Sequence, residues 1–268
     1  MKRLCFIFLY LFLCFSCHLY AQTGVSVSPP RLYFESGLGN SSTQTVTVTN
    51  VSSKNSLDLA ISLGDWEYNE KGENIMSAAN TLPASCAGWV SVKKDDNYFT
   101  LAPGQKKDIE VTVTVPGTLQ DKLFTHTAVL YVSQMNPVDD VDSKGANIKV
   151  SIRSGIKIFH KLPAGKNKKL EIQNLAYGKP KQTLDLTFDN LGDVWADGKI
   201  STDLVNTQNG KKTTLENIVF YTMPGNKREV SIPLPSGLEK GKYTASVIID
   251  YGDRDNLELG ELNFTYDY

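Results

Sequence analysis

Short runs of alternating apolar and polar residues dominate this chain. Thr45–Asn50, Leu57–Leu63, Ile109–Val115, Thr127–Val132, Leu184–Phe188, Val230–Leu234 and Ala245–Tyr251 place apolar side chains at every second position. That is the period of a strand with one buried face. Gly, Pro, Asn and Asp punctuate the runs, and helical periodicity is almost absent. The combination predicts an all-β sandwich architecture. In one further run, Ile148, Val150 and Ile152 alternate with Lys149, Ser151 and Arg153, and apolar positions continue through Ile156, Ile158 and Phe159. The pattern predicts a single strand of about thirteen residues from Ile148 to Lys161, against about 5–6 for an average strand. Such a strand overhangs the end of a small sandwich. An apolar overhang is either an aggregation hazard or a docking edge for another chain.

The strand pattern also repeats. Ala102-Pro103-Gly104-Gln105-Lys106-Lys107-Asp108-Ile109-Glu110-Val111 is answered by Met223-Pro224-Gly225-Asn226-Lys227-Arg228-Glu229-Val230-Ser231-Ile232. In both, a Pro-Gly turn leads into a strand that opens with charges and then alternates. A second strand follows each copy, at His126–Val132 and Tyr243–Tyr251, and upstream Val46–Asn50 and Leu186–Asn190 each end on Asn before a turn. Three features in the same order predict two tandem immunoglobulin-like β-sandwich domains, residues 22–162 and 163–268. The Pro/Gly/Lys stretch Leu162–Lys168 is the expected join.

Composition places the chain and removes several function classes. Lys2 and Arg3 precede an apolar run from Leu4 to about Tyr20, with Ala21 before Gln22, which predicts a secretory signal peptide over residues 1–21. The run is shorter than the roughly 20 apolar residues of a membrane span, and no later segment approaches that length, so no integral membrane segment is expected in the mature chain. A lipidated Cys17 is the competing reading, and Cys14-Phe15-Ser16 is a poor approach to it. Cys5, Cys14 and Cys17 fall inside the signal, leaving Cys86 as a lone thiol that cannot form an internal disulfide and is expected to be buried. Processing takes the net charge from −1 to about −3, a balance that gives no reason to expect nucleic acid as a partner.

Catalytic chemistry is not legible. His126 and His160 lie in no metal-ligand spacing and are expected as surface or edge residues. No Gly-rich phosphate loop, nucleophile elbow or H-E-x-x-H occurs. Asp139-Asp140-Val141-Asp142 lacks the Gly and terminal Glu of an EF-hand loop and reads as a solvated loop. Trp66, Trp89 and Trp195 are expected in core packing rather than on a sugar-binding platform. The expectation is a protein without enzymatic activity, cofactor or metal.

With the strand plan in place, residues Gly24 to Pro163 resemble the PapD-like periplasmic pilus-assembly chaperones. The resemblance starts at Val27-Ser28-Pro29-Pro30-Arg31-Leu32-Tyr33-Phe34 and continues through Gln44–Asn50 and the Pro103-Gly104 turn. It ends at Ile148–Lys161, which is similar to the long last strand of the family's first domain. From about Lys168 the chain departs from the family's pattern and reads as another generic immunoglobulin-like unit. The resemblance implies a periplasmic chaperone that binds pilus or other surface-fibre subunits by donating a β-strand, with Ile148, Val150 and Ile152 as the donated apolar residues. It also implies that Arg31 and Lys157 hold the subunit's C-terminal carboxylate, a guanidinium fork beside an ammonium point charge. An outer-membrane usher is the further partner the family implies. The residues alone leave other readings open: Arg31 as a solvated edge residue, Lys157 as a charge that discourages edge pairing, and the apolar stripe as ordinary core. The alternative function is an extracellular, cell-surface structural or adhesion protein without a folding client.

Overall fold

The computed structural model describes residues 24–141, 145–253 and 255–268. The signal peptide expected over residues 1–21 and Asp142 of the acidic cluster lie outside the described residues. The chain first forms β1 (Val25–Ser28), β2 (Arg31–Glu35), β3 (Ser41–Asn50), β4 (Leu57–Tyr68), β5 (Asn74–Ala78) and β6 (Val90–Val92). It continues with β7 (Tyr98–Leu101), β8 (Lys106–Thr114), β9 (Thr125–Gln134), β10 (Val138–Val141), β11 (Asn147–Val150) and β12 (Arg153–Lys161). Then follow β13 (Leu170–Gly178), β14 (Thr183–Asn190), β15 (Ala196–Asn206), β16 (Lys212–Thr214), β17 (Ile218–Thr222), β18 (Lys227–Pro233), β19 (Gly241–Asp250) and β20 (Glu258–Tyr266). Helix among the described residues is confined to single 3-10 turns, and none of it is long and apolar enough to cross a membrane.

The fold is all-β, with two immunoglobulin-like sandwiches in tandem. In the first, the sheet β1-β3-β8-β6 packs on β2-β12-β9-β4-β5, and Leu32, Val48, Leu59, Val111, Leu130 and Ile158 fill the space between them. The chain changes sheet between β1 and β2 through Pro29-Pro30, where missing N–H groups end the first ladder. In the second, β13-β14-β18 faces β16-β15-β19-β20 across a core that includes Leu186, Phe188, Phe220 and Val247.

The sequence repeat corresponds to one hydrogen-bonded device built twice. Gly104 and Gly225 take φ of +73° and +76°, a left-handed conformation that favours glycine. Gly104 N–H donates to Asn50 O and Asn50 N–H to Gln105 O, while Gly225 N–H donates to Asn190 O and Asn190 N–H to Asn226 O. Asn50 and Asn190 are both fully buried. Their side-chain oxygens accept the N–H two residues ahead, from Ser52 and Gly192 respectively, each at 2.9 Å.

Strand β9 departs from alternation, being buried along both faces. Ala128, Leu130 and Val132 face the first core, while Val129 and Tyr131 join Trp66, Tyr68, Phe159 and Met223 in a third apolar cluster. Trp195 and Tyr221 of the second sandwich pack against that cluster, so it joins the two sandwiches. Trp66 is buried and its indole N–H donates to Ala128 O at 2.8 Å. Trp89 and Trp195 are half-buried and pack against apolar clusters.

Three local expectations are corrected. The strand expected from Ile148 to Lys161 is two strands, β11 and β12, parted at Ser151-Ile152. Gln134 is the cause: its N–H donates to Ile152 O, its carbonyl accepts from Ser151 Oγ at 2.6 Å, and its Oε1 accepts from Ile152 N–H. The chain upstream peels into a separate antiparallel ribbon, β10–β11. Asp139-Asp140-Val141 therefore lies on a strand rather than in a loop, with Asp139 opposite Lys149. His126 and His160 are not surface residues; both are 0% exposed and directly paired across β9 and β12. The half-buried Trp89 ring lies against both, at 4.4 Å and 5.5 Å between centroids.

Candidate functional site

Strands β2 and β12 run parallel, with Arg31 opposite Lys157 and Tyr33 opposite Phe159. Since Leu32, Phe34, Ile156 and Ile158 point into the first core, period two sends Arg31, Tyr33, Lys157 and Phe159 to the outer face. That face meets the second sandwich. The Tyr33 ring stacks on Phe159 at 4.9 Å and lies 5.6 Å from Trp195, and it remains 45% exposed.

The two predicted cations are held within this aromatic cleft. Lys157 Nζ donates to the Tyr68 hydroxyl at 3.1 Å and to Asn74 Oδ1 at 2.5 Å. It also lies 3.9 Å and 4.2 Å from the ring centroids of Trp66 and Tyr68, a cation–π setting. The Arg31 guanidinium stands 4.3 Å from the ring centroid of Tyr221 on β17. A third cation, Arg228 of β18, is buried: Nη1 donates to Asn69 O at 3.4 Å and Nε has no partner. Its guanidinium fills the space a side chain at Gly72 would need, so the second sandwich seats directly on the β4–β5 turn.

The cleft gathers positive charge without counter-charge. Burial, then the charge of Arg31, pushes the Lys157 ammonium down to about 8. Tyr221 keeps the Arg31 guanidinium more firmly protonated than usual, burial lowers Arg228, and burial pushes the Tyr68 hydroxyl up to about 12. Among the described residues, no carboxylate lies within ion-pair distance of Arg31, Lys157 or Arg228. Cations gathered without counter-charge cost stability, and an incoming anion relieves that cost. Such a pair can bind and orient a carboxylate by charge-assisted hydrogen bonds.

The expected apolar stripe lies upstream of this pair. Ile148 and Val150 are on β11, 39% and 37% exposed, and Ile152 is half-buried beside Gly24. Strand β12 pairs with β9 along its whole length but with β2 only from Lys157 onward. Among the described strands, none is hydrogen-bonded to β12 on the β2 side from Arg153 to Ile156.

Sequence reasoning missed Tyr33, Tyr68, Asn74, Tyr221 and Arg228. One signal could have found the cleft: Ala128-Val129-Leu130-Tyr131-Val132 is an uninterrupted apolar run, the mark of a strand covered on both faces.

No protein-family model and no curated protein sequence matches this chain. Among solved structures it is similar to the YadV chaperone, at 15% identity and TM-score 0.45, over 90% of this chain and 99% of that one. It is also similar to the Escherichia coli chaperone DraB, at 21% identity and TM-score 0.46, over 91% and 96% of the two chains. A third is the Salmonella enterica SafA pilin in complex with the SafB chaperone, matched at 16% identity and TM-score 0.47 over 90% and 97%.

Proposed function

We propose that this protein is a periplasmic chaperone that captures surface-fibre subunits by lending them the edge formed by β11 and β12. The observation that carries this reading is the register of Arg31 against Lys157: two cations without a carboxylate partner, at the point where the open edge of β12 begins. A subunit strand entering along that edge has its main-chain groups paired with β12. Its C-terminal carboxylate sits on the guanidinium and ammonium, and Ile148, Val150 and Ile152 cover its apolar groove. Backbone pairing supplies affinity for any extended chain, and the half-buried charges of Arg31 and Lys157 favour one that ends there.

The test uses an N-acetylated heptapeptide of alternating Val and Thr, as the free acid and as the C-terminal amide, titrated by calorimetry. A charge-assisted contact of roughly 1.5–3 kcal/mol predicts about 10- to 150-fold tighter binding of the acid. Arg31→Ala and Lys157→Ala should each collapse that difference. Equal binding of acid and amide would sink the reading.

The same titration carries a pH prediction. Lys157 is charged below about pH 8 and neutral above it, while Arg31 stays charged throughout. Affinity for the acid should therefore fall as pH rises through 8, by up to about tenfold per unit. Lys157→Met should give a flat profile between about pH 7 and 9. A wild-type profile that is also flat would show that Lys157 does not touch the anion.

Stability and capture should separate on the apolar stripe. Val150 is 37% exposed and Ile156 is 0% exposed. Val150→Glu is expected to fold normally and lose the peptide, whereas Ile156→Glu buries an unpaired carboxylate and should cost several kcal/mol. If Val150→Glu unfolds the protein, the stripe is ordinary core; if it folds and still binds, this strand is not the working edge.

A further inference from the structure

A second charge stands on the open edge of β12, at a fixed position relative to the Arg31–Lys157 pair. Arg153 precedes Lys157 by four residues on the same strand, so the two share the outer face. The Arg153 guanidinium lies 3.5 Å from the ring centroid of Tyr131. Among the described residues, no carboxylate is within ion-pair distance of it.

Two glycines make the platform beneath it. Tyr131 is the direct partner of Gly155 across β9 and β12. A Cβ at Gly64 would fall 2.8 Å from Tyr131 Cε2, and one at Gly155 would fall 3.4 Å from Cε1. The ring therefore lies flat over both glycines, largely buried, with a face turned to Arg153. Stacking orients a guanidinium while leaving the N–H groups along its edge able to donate. Arg153 thus rests over Tyr131 of β9, the neighbour of β12 opposite the open lane, and is not neutralised; Gly155 leaves the face between it and Lys157 without a side chain.

The register determines what Arg153 meets. Strand β2 fills the lane beside β12 from Arg31 onward, and Lys157 N–H donates to Pro30 O at 3.1 Å. A peptide entering that lane from the other end, with its carboxylate toward Arg31 and Lys157, runs parallel to β12 and has to stop opposite Gly155. Its third residue from the carboxyl end then lies opposite Arg153. Paired residues stand about 5 Å apart and share a face.

We infer that Arg153 selects ligands carrying Asp or Glu as the third residue from their carboxyl end. The inference rests on the strand-donation reading above and adds a side-chain requirement to its terminal-carboxylate requirement. The bland role for Arg153, a charge that keeps an exposed edge from aggregating, predicts no dependence on ligand sequence.

The experiment scans Glu, then Lys, through the last five positions of the Val/Thr heptapeptide acid, against wild type and Arg153→Glu. Arg153 is exposed, and a thermal melt confirms that the variant folds. Wild type should prefer Glu at the third position from the end by about tenfold, the scale of one charge-assisted contact, and Arg153→Glu should reverse the preference toward Lys there. If the acid still outbinds the amide but no such preference exists, or it falls at another position, or it survives in Arg153→Glu, the inference is overturned and the anchor reading stands. If acid and amide bind alike, the anchor reading fails and the inference fails with it.

Discussion

Replacing Asn50 with Ala is expected to cost about 3–5 kcal/mol, a large share of the roughly 5–15 kcal/mol that holds a typical domain folded. Its amide donates to Asn55 O at 2.8 Å and Leu101 O at 3.0 Å, and its oxygen accepts from Ser52 N–H. Ala would leave Leu101 O and Ser52 N–H unpaired in buried surroundings and Asn55 O unpaired in a half-buried one, and each buried loss costs about 1–3 kcal/mol. Asn190→Ala should cost roughly 2–4 kcal/mol in the second sandwich, because the corresponding amide makes one longer bond, to Val194 O at 3.2 Å. Urea midpoints measured with an unchanged m-value would report both. Asn50→Asp separates donor from acceptor, since a carboxylate keeps the Ser52 contact but cannot donate to Leu101. Recovery of stability in Asn50→Asp would show that the two amide donations carry little.

Acid should weaken the fold through the buried histidine pair. Burial, then the neighbouring His126, pushes His160 down to about 4, against an opposing contact with the Ser36 carbonyl. Burial also lowers His126, and Asp121, 3.2 Å from its Nε2, works the other way. The remaining neighbours are uncharged: the Trp89 ring on both imidazoles and Ser36 Oγ at 3.1 Å from His160 Nε2. The folded values lie below the ordinary histidine value, so the unfolded chain takes up protons more readily. Stability is therefore complete above about pH 6.5 and is lost as pH falls from there toward 4, by about 3 kcal/mol for His160 alone. His160→Gln should flatten that part of a stability-against-pH curve. Equal slopes for wild type and variant over pH 4–6.5 would rule out His160 as the source.

Alternation revealed the strands because most have one face in a core and one in solvent, as Thr45–Asn50 and Ala245–Tyr251 do. It failed where a distant residue intervened. Nothing between Ile148 and Lys161 announces the break at Ser151-Ile152, because the alternation runs on; Gln134, at the end of the paired strand β9, makes it. The burial of His126 and His160 was equally hidden, since Trp89, Ser36 and Asp121 reach them from separate segments. Arg31 and Lys157 were singled out through family resemblance, and the parallel register then set them side by side. Their aromatic setting was not legible, because Tyr221 and Arg228 are far away in sequence and enter the cleft only when the two sandwiches pack.

That packing gives the Tyr221 ring beneath Arg31 a thermodynamic meaning. The guanidinium belongs to one sandwich and the ring to the other, so the free energy of an anion at Arg31 depends on the angle between them. Any agent that favours a different angle moves the ring and changes the anion's affinity. Linkage then requires the anion to change that agent's affinity by the same factor. On the strand-donation reading, a partner seated on the far side of the second sandwich would in this way act on the ligand through Tyr221, Trp195 and Arg228, the residues that sandwich brings to the cleft.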